Sequence, residues 1–177
     1  MVIQGTAGIG KSYLISCLKS ALQTPCEQSR CVLLLLAPIG VATFNIHAFI
    51  IHSALRIPIG EMQPLESQSL SKLQEELQHI CYILINEMSF IGPKMLTQID
   101  ACLHQAFPLQ CTIPFGGFSR IILGDFGQLP PVKDIPMYED SSVGTIFGVH
   151  LILLSRTKQF SDNKEIVLLK LPFGNSC

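Results

Sequence analysis

Residues 5–12 read GTAGIGKS and match G-x-x-x-x-G-K-[ST] at every required position. A run of this kind handles phosphate. Its glycines let the backbone N–H groups of Gly5, Thr6, Ala7, Gly8, Ile9 and Gly10 wrap phosphate oxygens, and a helix that follows turns its positive end toward them. Lys11 is placed to reach the β- and γ-phosphates, and the Ser12 hydroxyl to ligate a divalent cation. ATP with Mg2+ is therefore the expected cofactor pair. A chance match in a chain of this length has odds on the order of a hundredth at ordinary glycine usage. The plainer alternative is a glycine-rich turn that binds nothing.

Two later stretches could complete such a site. ILINEM, residues 83–88, is an apolar run closed by two polar residues. Glu87 can orient and deprotonate an attacking water. Asn86 stands where a carboxylate would hold the metal, and its amide oxygen is a neutral, weaker partner for Mg2+. Asn86 and Glu87 also read as a solvated strand end. GGFSRIILGDFGQLPPV, residues 116–132, is the most distinctive stretch. The Gln128 amide both donates and accepts, which suits contact with a γ-phosphate and a water. Asp125 is expected to support that loop or the metal shell.

These residues need a scaffold that brings distant segments together. Apolar runs of strand length are expected at 2–4, 32–37, 82–85, 120–123 and 151–154. Helical patterns separate them at 11–22, 41–46, 70–79 and 93–107, the last opened by Pro93 in its first turn. Apolar strands alternating with helices imply an α/β fold, a mostly parallel sheet with helices on both faces. In such folds ligands sit beyond the carboxyl ends of the strands. The loop at 5–12, Pro38 to Gly40, Asn86 with Glu87, and the 124–128 segment all fall there and describe one composite site.

Composition sets limits. The 177 residues are 48% hydrophobic and 14% charged, enough for one apolar globular domain. A net charge of −1 exerts no general pull on nucleic acid, so any DNA contact must be local. Seven cysteines form no C-x-x-C pair, and buried free thiols in a reducing compartment are expected. A zinc site from Cys26, Cys31, His47 and His52 fits no common spacing. Residues 31–55 carry no charge and are long enough to span a bilayer. A buried strand, a turn and a helix explain them with fewer unsatisfied polar groups than a span would leave at Asn45, His47 and His52.

Four stretches in order, GTAGIGKS, APIGVATFNI with IIHSALRIP, LINEMSFIG and GDFGQLPPV, resemble motifs I, Ia, II and III of the Pif-one family of superfamily 1B DNA helicases. The likeness runs from Met1 to about Val132 and faintly to Phe160. It implies a RecA-like P-loop NTPase domain and ATP-driven 5′→3′ unwinding of single-stranded or forked DNA. It also implies roles in DNA repair, recombination and telomere maintenance, and an intracellular place, nuclear or mitochondrial in a eukaryote. By that resemblance Lys11 and Ser12 carry the nucleotide and metal roles, and Glu87 and Gln128 the catalytic ones. Asn86 falls at the metal position, and Pro38, Gly40 and Thr43 lie along single-stranded DNA. Departures are Asn86 for aspartate, Ile39 for a polar residue, His47-Ala48-Phe49 for Gly-x-Thr, and Lys158 for arginine before Gln159. The expected organisation is a truncated motor domain over residues 1–160 and a degenerate or truncated tail over 161–177. The rivals are a catalytically impaired nucleotide-binding remnant or interaction module, and a P-loop ATPase or kinase unrelated to DNA. Oligomeric state is not legible.

Overall fold

The computed structural model describes residues 1–22, 32–58, 60, 62–110, 112–137 and 167–169. In chain order the elements are β1 (Val2–Gln4), α1 (Lys11–Leu22), β2 (Val32–Ala37), α2 (Gly40–Ile46), β3 (Phe49–Ile50) and α3 (Ile51–Ala54). They continue with α4 (Ser67–Leu77), β4 (Ile80–Ile85), α5 (Pro93–Ala106), β5 (Ser119–Gly124) and β6 (Val167–Leu169). The sheet order is β3-β2-β4-β5-β1-β6. The first five strands in that order run parallel, and β6 closes the far edge antiparallel to β1.

Side chains alternate across a strand, and here both alternating sets are apolar. Val2, Leu36, Ile83, Ile85 and Ile122 share one buried cluster with Leu73 and Leu77 of α4 and Leu96, Ile99 and Leu103 of α5. Ile3, Leu33, Leu35, Leu84, Ile121 and Leu123 form the opposite cluster with Ile15 of α1 and Ile46 of α2. Helices cover both faces, as strands without a polar side require.

Several expectations shift. Helix α4 starts at Ser67, three residues before the apolar period begins, because its first turn is held by polar bonds. Leu70 N–H donates to the Glu66 carbonyl at 2.8 Å and Ser71 Oγ to the Ser67 carbonyl at 3.0 Å. Strand β3 has no counterpart in the sequence reading. Two residues carry no periodicity, and the strand exists only through pairing of Phe49 with Leu36 and Ile50 with Ala37. The strand expected at 151–154 lies outside the described residues. The uncharged run at 31–55 is divided among β2, α2, β3 and α3, and no described helix is long and apolar enough to cross a membrane. Of the thiols expected to be buried, Cys102 is, and burial pushes it up to about 11. Cys17 and Cys81 are exposed, since one sits on the outer side of α1 and the other near the start of β4. Cys26 and Cys31 lie outside the described residues, and no group of three His, Cys, Asp or Glu side chains that could hold a metal occurs among those described.

Candidate functional site

Parallel strands put their carboxyl ends on one edge, and backbone bonds lace that edge together. Gly5 N–H donates to the Gly124 carbonyl at 3.0 Å, joining the glycine loop after β1 to the end of β5. Asn86 N–H donates to the Leu36 carbonyl at 2.9 Å, joining the end of β4 to β2. Residues far apart in sequence thus meet in the order β2, β4, β5, β1.

The loop between β1 and α1 has the form its letters require. Gly8 and Gly10 adopt φ of 79° and 93°, which side chains resist and glycine does not. Thr6, Ala7, Gly8, Ile9 and Gly10 are exposed, as is Ser12 at the start of α1. Lys11 Nζ donates to the Gly5 carbonyl at 2.7 Å and the Thr6 carbonyl at 2.9 Å. Its ammonium therefore lies over the loop rather than out in solvent. The twelve residues of α1 begin at Lys11, so the free N–H groups of its first turn face the same side.

Asn86 is buried, 7% exposed. Glu87 holds φ 62° and ψ 54°, a left-handed conformation uncommon for a residue with a side chain. Its Oε2 is buried with no hydrogen-bond partner. Buried carboxylate oxygens are almost always paired, and strained, unsatisfied ones gather where chemistry is done. The hydroxyl, amide and carboxylate of Ser12, Asn86 and Glu87 are hard oxygen donors of the kind Mg2+ takes.

After β5, Asp125 is buried, and its Oδ1 accepts the Gly127 N–H at 3.0 Å. Gln128 N–H donates to the Asp125 carbonyl at 3.1 Å. Asp125 thus shapes the turn that presents the half-buried Gln128. Further on, Asp134 Oδ2 accepts the N–H groups of Lys94 at 3.1 Å and Met95 at 3.3 Å. Those are free donors of the first turn of α5, whose N-cap, Gly92, has no side chain to cap them. Asp134 was missed in the sequence because it lies 40 residues from the helix it caps.

At the end of β2, Pro38 is half-buried and Gly40 is exposed at the start of α2. Thr43 Oγ1 donates to the Gly40 carbonyl at 2.6 Å, so its hydroxyl proton is held inside the helix and only its lone pairs remain for a ligand. Phe44 and Phe49 beside it are 82% and 63% exposed.

A PIF1-like helicase family model matches residues 1–146. The ATP-dependent DNA helicase Pif1 of Psychrobacter sp. is 31% identical over 134 residues, covering 73% of this chain and 19% of that protein. That of Bdellovibrio bacteriovorus is 30% identical over 168 residues, covering 91% and 36%. The crystal structure of Bacteroides Pif1 bound to ssDNA superposes with a TM-score of 0.63 at 26% identity, covering 92% of this chain and 33% of that one. The chain thus spans about a fifth to a third of the length of these relatives. With its four motif segments meeting on one edge of a parallel sheet, and a family match that takes in all four, the chain belongs to the PIF1-like helicases.

Proposed function

We propose that residues 1–160 are a RecA-like motor domain of an ATP-dependent DNA helicase, binding ATP with Mg2+ at the carboxyl edge of the sheet. One observation carries this reading. The bond from Gly5 N–H to the Gly124 carbonyl sets the phosphate loop against the strand end that leads into Gln128. A nucleotide cradled by residues 5–12 then has the loop of Gln128, after β5, beside it and Glu87, after β4, one strand further along the same edge. Lys11 exchanges two backbone carbonyls for phosphate oxygens as nucleotide enters. Glu87, through its unpaired oxygen, orients and deprotonates the attacking water. Gln128 contacts the γ-phosphate. Mg2+ would be held by Ser12 and, directly or through water, by Asn86, and when bound it neutralises charge on the phosphate oxygens.

Single-stranded or forked DNA is the proposed track, along Pro38, Gly40 and Thr43. Pif1 of Bacteroides solved with ssDNA supports this, as does its complex with ADP-AlF3 and ssDNA, 30% identical with a TM-score of 0.62. The exposed rings of Phe44 and Phe49 offer bases a surface to stack on, which matters in a chain of net charge −1. Roles in repair, recombination and telomere maintenance, and an intracellular place, follow from the same reading. A second reading, a nucleotide-binding remnant with impaired hydrolysis, is favoured by one observation: the buried residue at the metal position is Asn86.

The test of the first reading is Lys11→Ala. It removes the cation nearest the loop, so affinity for a fluorescent ATP analogue should fall by about tenfold or more, while adenosine binding is unmoved. Equal analogue affinity in both proteins would overturn the assignment.

A further inference from the structure

We propose that Asp134 is a positioning residue that ties the loop of residues 125–133, and with it Gln128, to the segment carrying Glu87. The inference rests on the γ-phosphate role proposed above for Gln128.

The loop is fastened at both ends to one short stretch. At its start Gly124, at φ 157°, lies so close to Met88 that a β-carbon there would meet the Met88 nitrogen at 2.5 Å and its Cγ at 2.8 Å. At its end Asp134 caps α5 through Lys94 and Met95, and its other oxygen, Oδ1, accepts the Ile135 N–H at 2.9 Å. Gly92 is pressed against the same carboxylate, and a β-carbon there would also meet the Ile135 carbonyl at 2.6 Å. Both fastenings fall on residues 88–95, directly after Glu87.

Between them, of residues 129–133, only Pro131 is buried. Leu129 and Val132 are 69% and 81% exposed, and Lys133 takes a left-handed φ of 57°. Met137, 2% exposed, anchors the chain beyond the loop, but it lies past the point where the path is set. The Asp134 bonds are charge-assisted and lie at the positive end of a 14-residue helix, which favours an anionic acceptor. A carboxylate in that place makes the loop and the Glu87 segment one unit. A γ-phosphate felt at Gln128 is then felt by α5, and the reverse.

The experiment measures affinity for ADP and for a non-hydrolysable ATP analogue in wild type, Gln128→Ala, Asp134→Ala, Asp134→Asn and the double variant Gln128→Ala/Asp134→Ala. Hydrogen exchange at Lys94, Met95 and residues 126–132 accompanies it. Wild type should prefer the ATP analogue. Gln128→Ala should lower that preference by about tenfold, Asp134→Ala by several-fold, and the double variant by no more than Gln128→Ala alone. ADP affinity should hold in every variant. Asp134→Ala should also lose protection at Lys94, Met95 and the loop, while the strands keep theirs. Asp134→Asn retains an acceptor and the shape but not the charge, should fall between, and guards against an alanine variant that does not fold. If Gln128→Ala leaves the preference intact, the Gln128 role fails and this proposal with it. If Gln128→Ala lowers it while Asp134→Ala does not, or if the two losses add in full, the Gln128 role stands and the positioning role is overturned.

Discussion

Glu87 sits in a backbone conformation that folding alone does not favour, with a buried carboxylate oxygen left unpaired. Strain and desolvation together oppose folding by an amount on the order of a few kcal/mol, and no hydrogen bond from a described residue to Oε2 offsets it. Its neighbour Asn86 lies deeper, 7% exposed, but brings no charge. Asn86→Asp should therefore restore an anionic oxygen near Ser12 and tighten Mg2+ by about tenfold, equivalent to about 1.4 kcal/mol. The gain should appear only with nucleotide bound, since phosphate oxygens complete the coordination shell. Titrating Mg2+ against nucleotide affinity for wild type, Asn86→Asp and Asn86→Ala checks it. Three coincident curves would make Asn86 an ordinary strand-end residue and take away the support for the remnant reading.

Among the elements, α5 and α2 do opposite work. Helix α5 turns Leu96, Ile99, Cys102, Leu103 and Ala106 into the core, and Ile99 is fully buried in the cluster it shares with residues of α4 and the sheet. Helix α2 buries only Ala42 and Ile46 and leaves Val41 and Phe44 about four-fifths exposed. Ile99→Ala should cost about 2–5 kcal/mol, the transfer term plus the cavity left behind. Phe44→Ser should change stability by no more than about 0.5 kcal/mol. Urea unfolding of the two variants measures both. A large loss for Phe44→Ser would mean that Phe44 supports the fold and is not a free surface for bases.

At the scale of the molecule, the described residues build one six-stranded sheet with the four motif segments at one edge, in a chain spanning 19% to 36% of the curated relatives described. Directional unwinding is expected to need two motor domains that close on ATP and grip the strand in turn. An arginine supplied across such a cleft is worth about 10³–10⁵ in rate in related NTPases. The purified 177-residue chain should therefore bind nucleotide without displacing a strand from a 5′-tailed duplex. A strand-displacement assay with ATP decides it, and ATP-dependent unwinding by this chain would refute the expectation.

What the sequence determined by itself was everything that depends on neighbours along the chain. The phosphate loop is local, since glycine φ and an adjoining helix start are set within eight letters, and α1 and β2 appear with the bounds expected. The doubly covered sheet was legible because strands apolar on both sides leave no other place for the helices. Tertiary structure alone decided β3, whose two residues are a strand only by virtue of lying beside β2. It decided the exposure of Cys17 and Cys81, because thiols carry no periodicity of their own. It decided that the Thr43 hydroxyl turns into its own helix. And it brought Asp134 across 40 residues to cap α5, a contact that no local pattern encodes because both partners are completed only when the sheet's edge has formed.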